Sequence, residues 1–198
     1  TGNGLPDTLV TSILEDRNGL LWIGTQRGAA RYDEKRWDVF TTRNGLADNT
    51  VHAILEDRDG ILWFATDNGV SRFNGKTWSS FTIEDGLTDN RVYAILEDHE
   101  GYLWFGTDEG VSRFDRGQCF TYTQEDGIVE DRVTAIIEDW DGALWFGTES
   151  SGVMRYRNGR FDTITRQDGL VDDDVNTIIK TRDGALWLGT DNGVSRYA

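Results

Sequence analysis

The stretch Gly-Ile-Leu-Trp-Phe-Ala-Thr at residues 60–66 decides the fold, because close copies of it recur along the whole chain. The five copies lie at residues 19–25, 60–66, 101–107, 142–148 and 184–190. Their tryptophans are 41 residues apart, except that the last follows the fourth by 42. A period of about 40 residues made of short strands and turns is typical of β-propeller blades. Positions that stay constant between copies are interpreted as structural, and variable positions as candidates for function.

The second copy shows the expected blade most clearly. Residues 51–56 are predicted as strand A, and the Asp-Gly pair that ends the turn at 57–60 is a strong hairpin signal. Residues 61–66 are apolar on both faces, as a strand between neighbouring sheets should be, and are predicted as strand B. Strands C and D are predicted at 70–73 and 77–82, and residues 83–90 cross to the next blade with no helical periodicity.

One all-β domain over residues 1–198 is predicted, with blades at 5–45, 46–86, 87–127, 128–169 and 170–198. The recurring glycines are interpreted as hairpin residues that need a positive φ. The fifth blade stops at its strand C, residues 193–197, and lacks the outer strand D. We expect an open edge there that supports self-association, and we expect the chain to be excised from a longer array.

Charge and composition exclude several classes of function. The chain has 35 acidic and 20 basic residues and a net charge of −15, which repels phosphate, so neither nucleic-acid binding nor membrane contact is expected. The single cysteine, Cys119, forbids a disulfide within the chain and is interpreted as a small hydrophobe. His52 and His99 are predicted at opposite ends of a strand, so no metal site and no cofactor are expected.

Charged residues that recur in every blade are interpreted as structural. The first aspartate of each Asp-x-Asp-Gly turn is expected to bond its own turn rather than calcium. A glutamate at the end of strand A and an arginine in strand C are expected to form a repeated charge pair. These residues are Glu15, Glu56, Glu97 and Glu138, with Arg31, Arg72, Arg113, Arg155 and Arg196. No catalytic residue is predicted, because a group repeated in every blade is a poor candidate for catalysis.

The pattern Val-x-Ala-Ile-Leu-Glu-Asp-x-Asp-Gly-x-Leu-Trp-Phe-Gly-Thr-x-x-Gly-Val-Ser-Arg-Phe is read across residues 92–114, with Glu100 at its second Asp, and resembles the two-component regulator propeller repeat. The resemblance implies the extracytoplasmic sensor of a bacterial hybrid histidine kinase. Such sensors often respond to polysaccharide fragments, and their repeats usually build seven-bladed propellers in tandem. It also implies a periplasmic or extracellular location, with the cytoplasm as the alternative. This chain departs from the pattern in having five repeats and no kinase or receiver domain.

The variable positions predict a binding site. They are the second residue of strand A, the residue two places before it, and the B–C turns, which all emerge at one end of a blade. The predicted ligand-binding residues are His52, Arg91, Tyr93, Arg132, Thr134 and Asn176. Acids that recur in the crossings are expected to brace them: Asp7, Asp48, Asp89, Glu130 and Asp172. At the other end, the A–B turn residue Trp140 is a candidate contact for a sugar or a partner, or else a local packing feature.

These observations favour a non-catalytic binding or sensing propeller for an oligosaccharide or another polar small molecule. A protein–protein or structural scaffold is the first alternative. A propeller lyase or glycosidase is the second, and His52 with Tyr93 is the one neighbouring pair that suggests it.

Overall fold

The computed structural model describes residues 4–122, 124–129 and 131–197. The chain divides into two compact units, Thr1–Ile95 and Leu96–Ala198, which are described separately below. The single domain that we expected over residues 1–198 therefore stays a prediction. Glu130, one of the acids expected to brace a crossing, lies outside the described residues.

The first unit contains two four-stranded antiparallel sheets, each a blade whose strands follow one another in chain order. The first sheet consists of β1 (Val10–Glu15), β2 (Leu21–Thr25), β3 (Gly28–Tyr32) and β4 (Trp37–Phe40). The second consists of β5 (Val51–Glu56), β6 (Leu62–Thr66), β7 (Gly69–Phe73) and β8 (Trp78–Phe81).

The remaining sheets continue the series. The third consists of β9 (Val92–Glu97), β10 (Leu103–Thr107), β11 (Gly110–Asp115) and β12 (Gln118–Thr121). The fourth consists of β13 (Val133–Glu138), β14 (Leu144–Thr148), β15 (Val153–Arg157) and β16 (Arg160–Ile164). The fifth has three strands, β17 (Val175–Lys180), β18 (Leu186–Thr190) and β19 (Gly193–Tyr197). The fold is the β-propeller of repeated blades that the period predicts, and the last sheet has three strands in the part of the chain that the structure describes.

The crossings between blades hold a feature that the sequence analysis missed. Each contains a single turn of 3₁₀ helix, at Thr42–Asn44, Ile83–Asp85, Gln124–Asp126 and Arg166–Asp168. Thr82 caps the second of these turns: its hydroxyl accepts from Glu84 N, and Asp85 accepts from Thr82 N. A turn of three residues is too short to produce a helical period, so the pattern of apolar residues carries no trace of it.

The strongest recurring contact within a blade joins the A–B turn to the tryptophan of strand B. In the second blade, Oδ1 of Asp57 accepts from the backbone N–H groups of Asp59 (3.0 Å) and Ile61 (2.8 Å). Oδ2 accepts from the indole Nε1 of Trp63 at 2.7 Å, and the aspartate is 8% exposed. The expectation that this aspartate bonds its own turn is confirmed, and the bond to the indole is an addition that the sequence analysis missed.

The same bond recurs in the first four blades. It joins Asp16 to Trp22 (2.9 Å), Asp98 to Trp104 (2.7 Å) and Asp139 to Trp145 (2.8 Å). The four tryptophans are between 1% and 2% exposed. In the fifth blade Thr181 replaces the acid, and Trp187 is only partly buried. The structural role interpreted for constant positions is therefore confirmed at four of the five tryptophans, which are core residues, whereas Trp187 is only partly buried.

The bonded tryptophans form the contacts between neighbouring blades. In the first unit, the Trp22 ring lies 5.4 Å from the ring of Phe40 in its own blade and 5.5 Å from that of Phe64 in the next. In the second unit, Trp104 lies 5.7 Å from Phe146 of the next blade. Because each indole is fixed by its aspartate, it presents a rigid apolar surface to the following sheet.

Glycine in strand B permits the close approach of the next blade. A Cβ built on Gly106 would come within 2.7 Å of Val133 Cγ1, which no real side chain tolerates. The sequence analysis assigned all recurring glycines to hairpins, and this is wrong for Gly106 and Gly147, which lie inside strands and do not need a positive φ. Gly60, with φ of 79°, does belong to the predicted class.

Glu56 and Arg155 do not form the glutamate–arginine pairs that were predicted for them. Glu56 bonds the preceding A–B turn, accepting from Arg17 N at 2.7 Å and lying 2.8 Å from Arg17 Nε. The strand-C arginines lie over aromatic rings instead, with Arg155 Cζ 5.3 Å from the centroid of Trp145. The charge pair predicted within the blade is therefore wrong for Glu56 and Arg155, because the glutamate points to the neighbouring blade.

The outer edge of the fifth sheet is open in the described part of the chain. β19 pairs with β18 on one side, and its side chains Val194 and Tyr197 are 52% and 40% exposed. An unpaired strand edge is a template for another strand. Self-association through this edge stays a prediction.

Replacing Asp57 by alanine should lower the free energy of unfolding by about 2–4 kcal/mol, because a buried indole N–H and two amides lose a charged acceptor. Urea denaturation measures this loss. The matched control is Asp59→Ala, in the same turn but exposed, which should cost less than about 0.5 kcal/mol. Equal losses in the two variants would contradict the structural role of the aspartate–tryptophan bond.

Candidate functional site

Three of the predicted ligand-binding residues meet in the first unit. The rings of His52 and Tyr93 lie 4.8 Å apart with an interplanar angle of 44°. They occupy the same slot, the second residue of strand A, in successive blades. Asp67 Oδ1, in the B–C turn, lies 2.8 Å from His52 Nε2 and accepts a hydrogen bond from it when that nitrogen carries the proton, and Arg91 Nε lies 3.6 Å from the same Asp67 oxygen. We call these four residues the His52 cluster.

The His52 cluster combines an aromatic face with charged groups that remain in contact with solvent. The side chains of His52, Asp67 and Arg91 are 21%, 39% and 50% exposed. One carboxylate, Asp67, serves both the histidine and the arginine. The arrangement can stack an apolar ring face and offer hydrogen-bond donors and acceptors beside it.

The other three predicted residues lie in the second unit, where carboxylates and backbone carbonyls already engage them. Arg132 bonds Asp108 through Nε at 2.6 Å and Glu149 through Nη1 at 2.7 Å. Asn176 donates to Asp191 at 2.8 Å. Arg132 therefore presents a neutralised guanidinium rather than a free positive charge.

Thr134 is occupied by the backbone. Its hydroxyl donates to the carbonyl of Val175, at the start of the next strand A, and lies 3.1 Å from the carbonyl of Gly147. Thr11 makes the matching bond to the carbonyl of Val51. A threonine in this slot thus joins neighbouring blades, whereas His52 and Tyr93 in the same slot leave their polar groups for other contacts.

The second unit concentrates acidic groups around Asp174. Burial raises the pKa of the Asp174 carboxyl above its usual range, and the negative charges of Asp191 and Glu149 raise it further. Asp174 stands in the slot that Arg91 and Arg132 hold in the preceding blades. Within residues 4–122, 124–129 and 131–197, no group of three His, Cys, Asp or Glu side chains is arranged to hold a metal ion.

The described crossing acids brace their loops, as expected. Asp48 accepts from Thr50 N at 2.7 Å, and Asp89 accepts from Arg91 N at 2.7 Å. Asp7 and Asp172 bond the backbone that follows them, and these bonds lower the pKa of both carboxyl groups. Asn192, which donates to Asp172, is the larger cause at Asp172.

At the opposite end of the blades, the variable A–B turn residue reaches forward to the next turn. Arg17 Nη2 donates to the carbonyl of Asp57 at 2.5 Å. Trp140, whose side chain is largely solvent-exposed, donates from its indole to the carbonyl of Thr181 at 3.1 Å. Lys180 Nζ lies 4.6 Å from the Trp140 ring centroid. Different residue types thus make the same inter-blade bridge, which the sequence analysis did not foresee.

His99 makes its bridge through a carboxylate. Its backbone N–H donates to Glu138 Oε2 at 3.0 Å, and its ring Nδ1 contacts Glu138 Oε1. The hydrogen bond with Glu138, followed by the charge of that carboxylate, raises the pKa of His99 above its ordinary value.

With this geometry established, the model of the family described as two component regulator propeller matches residues 4–27, 45–68, 86–109 and 169–192. Four of the five repeats of this chain are thus of the two-component regulator propeller type. The unmatched fourth copy is the one whose B–C turn has an extra residue, at Glu149 to Gly152.

Solved structures share the propeller fold with this chain. The extracellular domain assigned to the hybrid two-component system BT3049 from B. thetaiotaomicron is 22% identical, with a TM-score of 0.86 over 100% of this chain and 29% of that one. The corresponding domain of BT4673 from the same organism is 23% identical, with a TM-score of 0.82 over 96% of this chain and 27% of that one. Virginiamycin B lyase from Staphylococcus aureus is 20% identical, with a TM-score of 0.75 over 96% of this chain and 70% of that one.

The propeller repeats of this chain thus span less than a third of the two extracellular domains that they resemble. No curated protein matches the sequence. In the described part of the chain, no helix has the length and apolarity that crossing a membrane requires.

The raised pKa of His99 can be measured directly. In a proton NMR titration of the two histidines, the His99 signal should titrate above the ordinary value of about 6.5. Glu138→Gln should return it to about that value. Because the folded-state pKa is raised, this contact stabilises the fold fully below about pH 6.5 and loses its effect as the pH rises through the higher value. A His99 signal that titrates identically in both proteins would contradict the ion pair.

Proposed function

We propose that this chain is a non-catalytic, ligand-sensing part of the extracytoplasmic sensor of a two-component system, and that it binds a neutral polar molecule of the oligosaccharide class. The four repeats that match the regulator propeller family support the sensor role. Structural likeness to two extracellular domains of hybrid two-component systems supports the fold and the location outside the cytoplasm. The activity of the whole sensor is part of the proposal, because the chain spans only a fraction of those domains.

The observation that carries the proposal is the contact between His52 and Tyr93. Two aromatic rings stand 4.8 Å apart in a slot where a threonine elsewhere only joins blades. The repeat does not need these rings, so their presence breaks the sequence symmetry of the blades. Asp67 and Arg91 place a carboxylate and a guanidinium beside them.

The charges around the predicted residues favour a neutral, hydroxyl-rich ligand. Arg132 is held by two carboxylates, and Asp174 lies among several more, so the surroundings of Arg132 and Asp174 do not attract an anion. The net charge of −15 also disfavours an anionic ligand at these residues. A sugar ring stacks on an aromatic face through its C–H groups and donates its hydroxyls to carboxylates such as Asp67.

One observation favours a second candidate function, that of a lyase. His52 and Asp67 form a bonded pair at 2.8 Å beside Tyr93, and a histidine oriented by a carboxylate is a common general base. Propeller lyases share the fold, but at 20% identity they carry nothing further about this chain. An enzyme would convert its ligand and a sensor would release it unchanged, so NMR of the recovered ligand separates the two.

The test begins with a glycan array on the wild-type chain and continues with titration calorimetry of the ligand found. Tyr93→Ala should weaken binding about tenfold or more through loss of the stacking face. The melting temperature should change by less than about 3 °C, because the position is not in the buried core.

The matched control is Trp140→Ala, which removes an exposed aromatic residue outside the His52 cluster. This control should bind as the wild type does. Unchanged affinity in Tyr93→Ala, or equal weakening in both variants, would refute the assignment to the His52 cluster. No binding to any glycan would favour the scaffold alternative.

A further inference from the structure

A cavity of about 360 Å³ opens in the second unit beside the A–B turn of the third blade. Its walls include the rings of Tyr102, Trp104 and Tyr156, the guanidinium groups of Arg113 and Arg157, and Asn158. None of these residues belongs to the predicted ligand-binding set. We propose that this cavity binds a small aromatic carboxylate, with Arg113 as the group that receives the carboxylate.

Arg113 is packed between aromatic rings and has one buried donor, Nε, without a hydrogen-bond partner in the described part of the chain. Its Cζ lies 4.7 Å from the ring centroid of Tyr102 and 5.0 Å from that of Phe120. A buried donor on a charged group is costly to leave unpaired, so a ligand that supplies a hydrogen-bond acceptor here is favoured.

The third blade differs from the first in the residue that faces its strand-C arginine. In the first blade Arg31 faces Asp38 across the strand pair and bonds it at 2.5 Å. In the third blade the residue in that register position is Phe120, which has no acceptor. The Nε atoms of Arg31 and Arg155 are also buried and unpaired, but there the strand opposite offers the carboxylates of Asp38 and Asp162. Among the described arginines with a buried, unpaired Nε, Arg113 is therefore the one that faces no acid across the strand pair.

The acids that line the cavity do not supply Arg113 with the acceptor that an acid across the strand pair provides in other blades. Asp98 accepts from the Trp104 indole and from two backbone N–H groups. Glu138 is engaged by His99. Glu100 and Asp141 are exposed residues of their turns. The cationic groups Arg113 and Arg157 thus remain to meet an anion from outside the chain.

The shape and chemistry of the walls select the rest of the ligand. Planar carboxylates form two parallel hydrogen bonds with a guanidinium, which makes this pairing stronger and more specific than a single bond. The tyrosine rings offer faces or edges to a second planar ring. A volume of about 360 Å³ lies at the small end of ligand pockets, so a single substituted ring fits better than a longer chain.

Sodium benzoate is the probe, and benzamide is its neutral control of the same shape. Both are titrated into the ¹⁵N-labelled chain while the indole N–H signals are followed. We expect benzoate to shift the Trp104 indole signal in a saturable way and to leave the Trp22 signal unchanged, because Trp22 belongs to a blade whose arginine is already paired. Benzamide should bind at least about tenfold more weakly, since it lacks the charge.

Arg113→Gln should weaken benzoate binding at least about tenfold, whereas Arg31→Gln should leave it unchanged. The dispersion of the indole signals reports whether each variant is folded. If Arg113→Gln does not fold, the comparison of benzoate with benzamide on the wild type still decides the point. Absence of saturable benzoate binding, equal binding of benzamide, or full binding by a folded Arg113→Gln would overturn the proposal. It does not rest on the proposed function, because none of its residues belongs to the His52 cluster.

Discussion

A carboxylate that holds an indole is the contact on which the rest of each blade depends. In each of the first four blades, one carboxylate oxygen of an aspartate accepts hydrogen bonds from two backbone N–H groups of its turn. The other oxygen accepts one from the indole of the strand-B tryptophan. The turn closes the A–B hairpin, and the fixed indole becomes the surface against which the next blade packs. One residue therefore couples local turn geometry to packing between blades. Where Thr181 replaces it, Trp187 is no longer fully buried.

The period of the sequence predicted the strands, the turns and the missing outer strand of the fifth blade. Strand A of the second blade and strand C of the fifth were predicted to the residue, at Val51–Glu56 and Gly193–Tyr197. Repetition reports which positions are constrained, but it does not report the contact that constrains them. The constant glutamates were therefore paired with the wrong arginines, and Gly106 was given a turn role although the nearness of Val133 is what requires it.

The candidate site was predicted from the positions that vary between the repeats rather than from those that stay constant. His52 and Tyr93 vary within one slot, and their proximity could be predicted because equivalent residues of neighbouring blades lie side by side. The neutralisation of the Arg132 guanidinium could not be predicted, because it depends on Asp108 and Glu149, which lie in B–C turns. The unpaired Nε of Arg113 was equally hidden, since a constant arginine differs between blades only in what faces it. The blades thus differ in the neighbours of their repeated residues as much as in the variable residues themselves.

Hydrogen exchange of the indole N–H groups tests the role of the aspartate–tryptophan bond most directly. The ¹H–¹⁵N spectrum of the chain contains signals from eight tryptophans. The account predicts slow exchange at the four indoles held by an aspartate, those of Trp22, Trp63, Trp104 and Trp145. It predicts much faster exchange at Trp187, which lacks the acid. Exchange at Trp187 as slow as at the other four would contradict it, because protection of the indole N–H would then not require the aspartate.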